Sequence, residues 1–243
     1  MKMRKNKAFT LAETLVVMGI IGVVAALTIP NLSASTANKE NVARVQKAYS
    51  TINEAFDRVQ AEYGNIRRWP LRDFNWNGDN DTDFLANRMA EYLKVSKNCG
   101  RNANQGCMST SVKYLNGTAT TAGSSYWGIL DSDTNAYKML LADGTGLAIR
   151  VASGSIYLNV DIDGPKKGSG TLGKDLFGFY YGSDSDRQLV PAKRQNDMRY
   201  PFTTGVNVTA WVIEAGNMDY LKAVNGTCTK TNKTLSWTNT TCN

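Results

Sequence analysis

Near its start the chain carries the sequence LVVMGIIGVVAALTI, residues Leu15–Ile29, within a longer run, Thr14–Asn38, that contains no charged side chain. The longer run has 25 residues. As a helix it would span about 37 Å, more than the roughly 30 Å hydrocarbon core of a bilayer. The strongly apolar part has only 15 residues. Length therefore leaves three interpretations open: a membrane anchor, the hydrophobic region of a secretory signal peptide, or a buried helix.

Basic residues precede this run. The first eight residues hold four basic side chains and no acid: Lys2, Arg4, Lys5 and Lys7. The whole chain has 28 basic and 21 acidic residues, a formal charge of +7, and beyond residue 8 the balance is only +3. The positive charge is therefore mainly a property of the N-terminus, and it gives little reason to expect a nucleic-acid partner.

An acid, Glu13, lies directly before the uncharged run. A carboxylate is unexpected there in a signal peptide, and within a membrane it costs about 2.5–3.5 kcal/mol at the helix centre and less near an end. Such a charge normally has a partner. Cleavage between Ala8 and Phe9 would create one, a terminal amine four residues from Glu13. The alternative is that Glu13 lies at the water interface at the end of an anchor and needs no partner.

Two consecutive stretches carry a family resemblance. The sequence KAFTLAETL, Lys7–Leu15, is followed by IIGVVAALTIP, Ile20–Pro30. Together they resemble the N-terminal methylation segment of type IV pilins and type II secretion pseudopilins. The basic leader, the phenylalanine, the acid at a fixed spacing, the apolar run and the proline all coincide over about 24 residues.

This resemblance implies how the N-terminus is processed. A prepilin peptidase is expected to cut between Ala8 and Phe9 and to methylate the new terminal Phe9. The family usually has glycine where this chain has Ala8, and we expect cleavage to survive this mild replacement at a lower rate. Glu13 and Pro30 are then assembly residues, with Pro30 a kink or melted segment inside a longer helix rather than a helix end.

The resemblance also implies domains and partners. Residues 1–8 are a leader that is removed, 9–31 a transmembrane and filament-core helix, 32–63 the amphipathic half of the same helix, and 64–243 an extracytoplasmic α+β head. The expected partners are the prepilin peptidase, other copies or related pilins, an inner-membrane assembly platform, and the membrane before assembly. The expected location is the bacterial inner membrane with the head in the periplasm, and afterwards a periplasmic pseudopilus or a cell-surface pilus.

Beyond Pro30 the pattern becomes that of an amphipathic helix. Apolar and aromatic residues recur at steps of three and four: Val42, Val45, Tyr49, Ile52, Phe56, Val59 and Tyr63. Charged and polar residues fill the positions between them, and Gly64 is a suitable residue to follow the helix. The pattern predicts one helix, residues 9–63, with one buried stripe. A free coiled coil is the competing interpretation.

In the head, the pattern changes to that of strands. A short helix is predicted over 83–95, and strands over 137–141, 147–151 and 156–162, with a fourth over 177–181. Alternating apolar residues in these strands predict one buried face, against the stripe of the long helix. The predicted fold class is therefore α+β: a pilin-like long N-terminal helix packed on an antiparallel β-sheet head.

Acidic turns in the head suggest a metal as one possibility. Asp161, Asp163 and Asp175 lie in glycine-rich segments that also resemble heads of this broader family, and their carboxylates are candidate ligands of a structural Ca²⁺. The alternative is a turn cluster held by local hydrogen bonds. Asp73–Gly78 has the front of a calcium loop, but Phe84 stands where the loop needs a glutamate. No cofactor is required.

All four cysteines lie in the head, and in an extracytoplasmic protein this even count suggests disulfides. Three connectivities are possible. The pairing with short loops, Cys99–Cys107 and Cys228–Cys242, is favoured.

The chain contains no histidine, which excludes Ser-His-Asp and Cys-His catalytic sites and HExxH zinc helices. The acid pairs Asp131/Asp133 and Asp184/Asp186 lie in loops where we expect solvated carboxylates, so no enzymatic activity and no catalytic residue is predicted. The predicted function is a structural subunit of a type IV pilus or type II secretion pseudopilus that assembles through its N-terminal helix. The alternative is a minor pilin whose head is a surface-, substrate- or DNA-binding module.

Overall fold

The computed structural model describes residues 10–66, 79–121, 127–152, 154–182, 188–193 and 199–242, with the backbone alone at 27–35, 79–80 and 199–200. The basic leader, Phe9, the loop Asp73–Gly78 and the Asp184/Asp186 pair lie outside the described residues. The chain divides into two compact units, Met1–Glu40 and Asn41–Asn243.

Helix α1 is Leu11–Tyr63, within two residues of the prediction at its start and in agreement at its end. Gly64 follows with φ +83°, a left-handed conformation that glycine adopts without strain. The helix continues through Pro30, so the interpretation of this proline as a helix end is wrong.

In the second unit, the predicted stripe of α1 faces the core. Val45, Ile52 and Val59 are completely buried, and Tyr49 and Tyr63 are partly buried against the same core. Tyr49 stacks on Phe179 with ring centroids 5.3 Å apart. The stripe therefore packs on its own unit, as predicted.

Helix α2, Asp79–Tyr92, begins four residues before the predicted helix and buries Leu85 and Met89 completely. Arg88 lies over the Tyr63 ring, 4.2 Å from its centroid, and pairs with Glu91 at 3.1 Å. These contacts attach α2 to the end of α1.

The described residues form strands β1 Val95–Gly100, β2 Ser111–Lys113, β3 Tyr137–Leu141, β4 Gly146–Ala152, β5 Ser155–Asp161, β6 Ser169–Thr171, β7 Leu176–Tyr181, β8 Val190–Pro191, β9 Ala223–Val224 and β10 Thr227–Cys228. The main sheet has six of them in the order β1-β3-β4-β5-β7-β8, and all neighbouring strands in it are antiparallel. Two small sheets pair β2 with β6 in parallel and β9 with β10 in antiparallel fashion. The four predicted strands are β3, β4, β5 and β7, and the predicted α+β class is confirmed.

The predicted buried face packs with the stripe of α1, but the opposite face of the central strands is covered as well, which the alternation did not predict. On β4, Leu147, Ile149 and Val151 join the core with α1 and α2. Ala148, on the opposite face, joins a second core cluster that includes Met108 and Ile129. The loops before β2 and β3 supply this second layer, and loops carry no periodicity that would predict it.

The C-terminal region is more compact than its Thr- and Asn-rich sequence indicates. Helices α3, Arg199–Thr204, and α4, Thr209–Glu214, precede a 3₁₀ turn, Asp219–Lys222. Trp211 and Tyr220 are almost fully buried, and both contact Phe202, edge-on at 4.9 Å and stacked at 5.6 Å between ring centroids.

Candidate functional site: an apolar helix surface and its supporting sites

The first unit exposes an apolar helix surface. Among its described residues, nine large apolar side chains are 53–80% exposed: Leu11, Leu15, Val16, Val17, Met18, Ile20, Ile21, Val23 and Val24. Because successive residues of a helix point about 100° apart, these side chains cover all sides of α1 rather than one stripe. An apolar surface of this size is normally covered by lipid or by protein.

At the N-terminal end of α1, Thr10 and Glu13 form a capping box. The Glu13 carboxylate accepts the backbone N–H and the hydroxyl of Thr10, both at 2.9 Å, and the Glu13 N–H donates to the Thr10 hydroxyl at 3.3 Å. This arrangement satisfies helix N–H groups that otherwise have no partner. The signal was present in the sequence as Thr10-Leu11-Ala12-Glu13, but Glu13 was interpreted through its charge alone.

The other predicted processing and assembly residues are only partly described. Ala8 and Phe9 lie outside the described residues, and at Pro30 only the backbone is described. Cleavage between Ala8 and Phe9 and the pairing of Glu13 with a terminal amine therefore stay predictions.

Within the described residues, no helix combines the length and the apolar character needed to cross a membrane.

The predicted calcium ligands lie close together, and protein groups engage two of them, Asp161 and Asp163. Asp161 is fully buried, and one carboxylate oxygen accepts the Ser109 N–H at 3.0 Å and its hydroxyl at 2.7 Å. The other accepts the Gly164 N–H at 2.9 Å. Burial, together with the neighbouring Asp163 carboxylate, raises the pKa of Asp161 to about 7.

The ammonium group of Lys167 lies beside these carboxylates. Lys167 forms an ion pair with Asp163, and this contact raises the pKa of Lys167. Burial and the charge of Asp163 raise the pKa of Asp175. Within the described ranges, no group of three or more acidic, Cys or His side chains is placed to hold a metal ion. Protein donors thus engage the carboxylate of Asp161, and Lys167 pairs with Asp163, while a Ca²⁺ site formed by Asp161, Asp163 and Asp175 stays a prediction.

The raised pKa of Asp161 predicts a pH dependence of stability. Between pH 4 and 7 the folded chain keeps a proton that the unfolded chain has lost, so the free energy of unfolding falls as pH rises and levels off above about pH 7. We expect a fall of about 2–3 kcal/mol between pH 5 and 7.5 in urea unfolding. Asp161→Asn, which resembles the protonated acid, should remove most of this slope, whereas Asp57→Asn on the exposed side of α1 should keep it. An unchanged slope in Asp161→Asn would show that another group titrates.

A second acidic site contradicts the expectation of solvated loop carboxylates. Asp131 is 1% exposed, and its carboxylate accepts the N–H groups of Gly106 at 2.6 Å, Cys107 at 2.9 Å and Met108 at 3.1 Å. Asp133 is also buried and accepts the Leu130 N–H at 2.8 Å. A solvated pair was expected from the polar sequence around them, and that prediction is wrong.

A buried lysine accompanies these acids. Lys138 has no exposed surface, and its ammonium donates to the main-chain carbonyls of Asp131, at 2.7 Å, and Asp133. Burial lowers the pKa of Lys138, and the two nearby carboxylates oppose this effect. Main-chain N–H and carbonyl groups satisfy all three buried charges, which is typical of a structural role.

Both disulfides have the short-loop pairing that the sequence favours, Cys99–Cys107 and Cys228–Cys242. In each, a buried aspartate accepts the N–H of the second cysteine. Asp131 holds Cys107 at 2.9 Å, and Asp219 holds Cys242 at 2.8 Å.

These features define a class of protein: the chain is a type IV pilin-like or pseudopilin subunit. Residues 3–29 match the prokaryotic N-terminal methylation motif, and this match supports that class. Residues 31–241 match the family described as "Family of unknown function (DUF6613)", and the chain belongs to this family. No curated protein and no solved structure is significantly similar to the chain.

Proposed function

We propose that the chain is a filament subunit of a type IV pilus or a type II secretion pseudopilus. In this proposal the prepilin peptidase removes residues 1–8, residues 9–31 anchor the subunit in the inner membrane, and the same helix then packs against other copies or related pilins on an assembly platform. Residues 32–63 connect this helix to a head formed by residues 64–243, which stays outside the cytoplasm.

The observation that carries the proposal is the exposed apolar surface of α1. Isolated exposed apolar residues are common. Nine of them within Leu11–Val24, on all sides of one helix, indicate a surface that contacts lipid or other protein. Lipid before assembly and neighbouring helices after assembly both provide an apolar environment. If this segment were instead a signal peptide that is cleaved off, the methylation motif would have no role in the mature protein.

The N-terminus of the mature protein tests the proposal. We expect the protein recovered from membranes to begin at Phe9 and to carry an N-methyl group, as measured by intact mass and N-terminal sequencing. A mature protein that begins near residue 38, without the apolar segment, would contradict the proposal.

Ala8 gives a prediction about the rate of this cleavage. Peptidase sites that require a close backbone approach favour glycine, since any Cβ adds bulk at the scissile bond. We expect Ala8→Gly to be processed several-fold faster than the natural chain, as followed by the mobility shift of pulse-labelled protein. Asn6→Gly, which changes the leader two residues earlier, serves as the control and should leave the rate unchanged. Equal rates for Ala8→Gly and the natural chain would show that the Ala8 side chain does not slow the cut.

One observation favours the second candidate function, a binding module in the head. An open cavity of about 210 Å³ lies beside the C-terminal region, and its lining includes Leu115, Asn116, Phe202 and Asn225. Val224, which also lines it, is 63% exposed. The ligand of such a module stays a prediction.

A further inference from the structure

The second unit exposes two large apolar side chains. Among its described residues these are Phe84 on α2, which is 43% exposed, and Val224 on β9, which is 63% exposed. Val224 lines the cavity of about 210 Å³ beside the C-terminal region. We call the Phe84 side chain the knob, and the cavity lined by Leu115, Phe202 and Val224 the socket. Each presents apolar surface that contact with another apolar surface would bury.

The socket suits an apolar ring. No charged side chain is among the described residues that line it, and the oxygens of its two asparagine amides are already engaged. The amide oxygen of Asn116 accepts the Thr118 N–H at 3.0 Å, and that of Asn225 accepts the Thr203 hydroxyl at 2.9 Å. A protein cavity of about 150 Å³ can hold a benzene ring, so the socket has room for a phenylalanine side chain.

The knob and the socket lie on different parts of the second unit. Helix α2, which carries the knob, is attached to β3, because the Tyr137 hydroxyl donates to the Asn87 amide oxygen at 2.8 Å. In the socket, Phe202 contacts α4, and α4 is attached to β7 because the Gly178 N–H donates to the Thr209 hydroxyl at 3.0 Å. Strands β3 and β7 are three strand spacings apart in the main sheet, about 14 Å. The two features are therefore separate surfaces of one copy.

The elements that carry the two features have formal charges of opposite sign. Helix α2 has four acidic residues and one basic residue, a net charge of −3. The described residues 218–242, which include the hairpin with Val224, have the three lysines Lys222, Lys230 and Lys233 and one acid, Asp219. Asp219 is buried and pairs with Lys222 at 2.6 Å. Opposite charge on two surfaces favours their encounter and fixes their orientation.

We propose that the knob of one copy inserts into the socket of the next copy, so that the heads of successive subunits contact one another in the filament. This inference rests on the proposed function, in which copies of the chain assemble. A contact between two different surfaces of the same molecule is heterologous, and it generates an open helical filament wherever the rotation between copies does not close a ring. Such a contact therefore fits a filament subunit better than a closed dimer.

Crosslinking of introduced thiols tests the contact. All four natural cysteines form disulfides, so Phe84→Cys and Val224→Cys each give their chain one free thiol. Both variants are made in cells together with an excess of the natural chain, and sheared filaments are treated with a short bismaleimide. We expect about fivefold more crosslinked dimer than from the control mixture of Asp57→Cys with Val224→Cys, because the contact holds the two thiols together. Asp57 is exposed on α1, away from both features.

The outcomes separate this contact from other occupants of the socket. Filaments without the Phe84→Cys to Val224→Cys dimer would overturn the inference. So would dimers from Val224→Cys alone, which would show a symmetric contact of two sockets, and so would crosslinks from Val224→Cys to a different protein or ligand. A natural chain that forms no filaments in the same cells would instead contradict the proposed function.

A second pair of variants decides the case in which the cysteine chains do not enter filaments. Phe84→Leu keeps an apolar knob and should assemble like the natural chain. Phe84→Glu would bring a charge into the uncharged socket, and we expect about a tenfold smaller filament fraction. Equal filament fractions for Phe84→Leu and Phe84→Glu would overturn the inference.

Discussion

Glu13→Ala should be processed normally and yet fail to assemble, with at least a tenfold smaller fraction of subunit in sheared or sedimented filaments. In the assembled fibre, the Glu13 carboxylate would lie in an apolar environment opposite the terminal amine created at Phe9. Removing one partner of a buried charge pair leaves the other uncompensated at a cost of several kcal/mol, and about 1.4 kcal/mol already corresponds to a factor of ten.

The capping box requires a control, because Glu13→Ala also removes two hydrogen bonds that start α1. Glu13→Gln keeps a side chain that suits this cap but removes the charge. Thr10→Val removes the hydroxyl of the cap but keeps the charge. If the ion pair drives assembly, Glu13→Gln fails like Glu13→Ala, and Thr10→Val assembles.

The reverse result would decide against the ion pair. If Glu13→Gln forms normal filaments and Thr10→Val forms none, Glu13 acts only in starting the helix. If Glu13→Gln keeps its leader, the substitution blocks cleavage by the peptidase rather than assembly. Immunoblots for leader removal and for the sheared filament fraction read both steps in the same cells.

The features predicted correctly from the sequence are those with a regular period. The stripe from Val42 to Tyr63 repeats at three and four residues, and the structure buries it. The strands at 137–141 and 156–162 alternate at two residues and are bounded by glycine turns, and they appear as β3 and β5 within one residue at each end. Period and turn chemistry act locally, so they can be identified without the rest of the fold.

The features that were missed depend on contacts between distant parts of the chain. Asp161 is 52 residues from Ser109, which binds its carboxylate, and Asp131 is 24 residues from Cys107. Nothing near either acid in the sequence shows that it is buried. The second core cluster, most of whose residues come from loops, was missed for the same reason, since a turn sequence such as Ile129-Leu130-Asp131 does not reveal which surface it will cover.

Asp131 should be the residue whose substitution costs the head most stability. Its carboxylate is the shared acceptor of the Gly106, Cys107 and Met108 N–H groups, and its charge lies near the buried ammonium of Lys138. A buried donor left without a partner costs about 1–3 kcal/mol, and Asp131→Ala would leave the buried Cys107 and Met108 N–H groups without this acceptor. We expect Asp131→Ala to lower the free energy of unfolding by about 4 kcal/mol or more, and Asp131→Asn by somewhat less because one amide oxygen can still accept.

Urea unfolding of the oxidised protein, followed by tryptophan fluorescence, measures this loss, and the exposed Asp57→Asn control should stay within about 0.5 kcal/mol of the natural chain. A double-mutant cycle of Asp131→Asn with Lys138→Met isolates the part due to charge, for which we expect a coupling of about 1–3 kcal/mol. A loss below about 1 kcal/mol in Asp131→Ala would mean that water replaces the carboxylate at the three N–H groups. In that case the Cys99–Cys107 disulfide, rather than Asp131, would hold this loop, and Cys99→Ser with Cys107→Ser would become the more destabilising change.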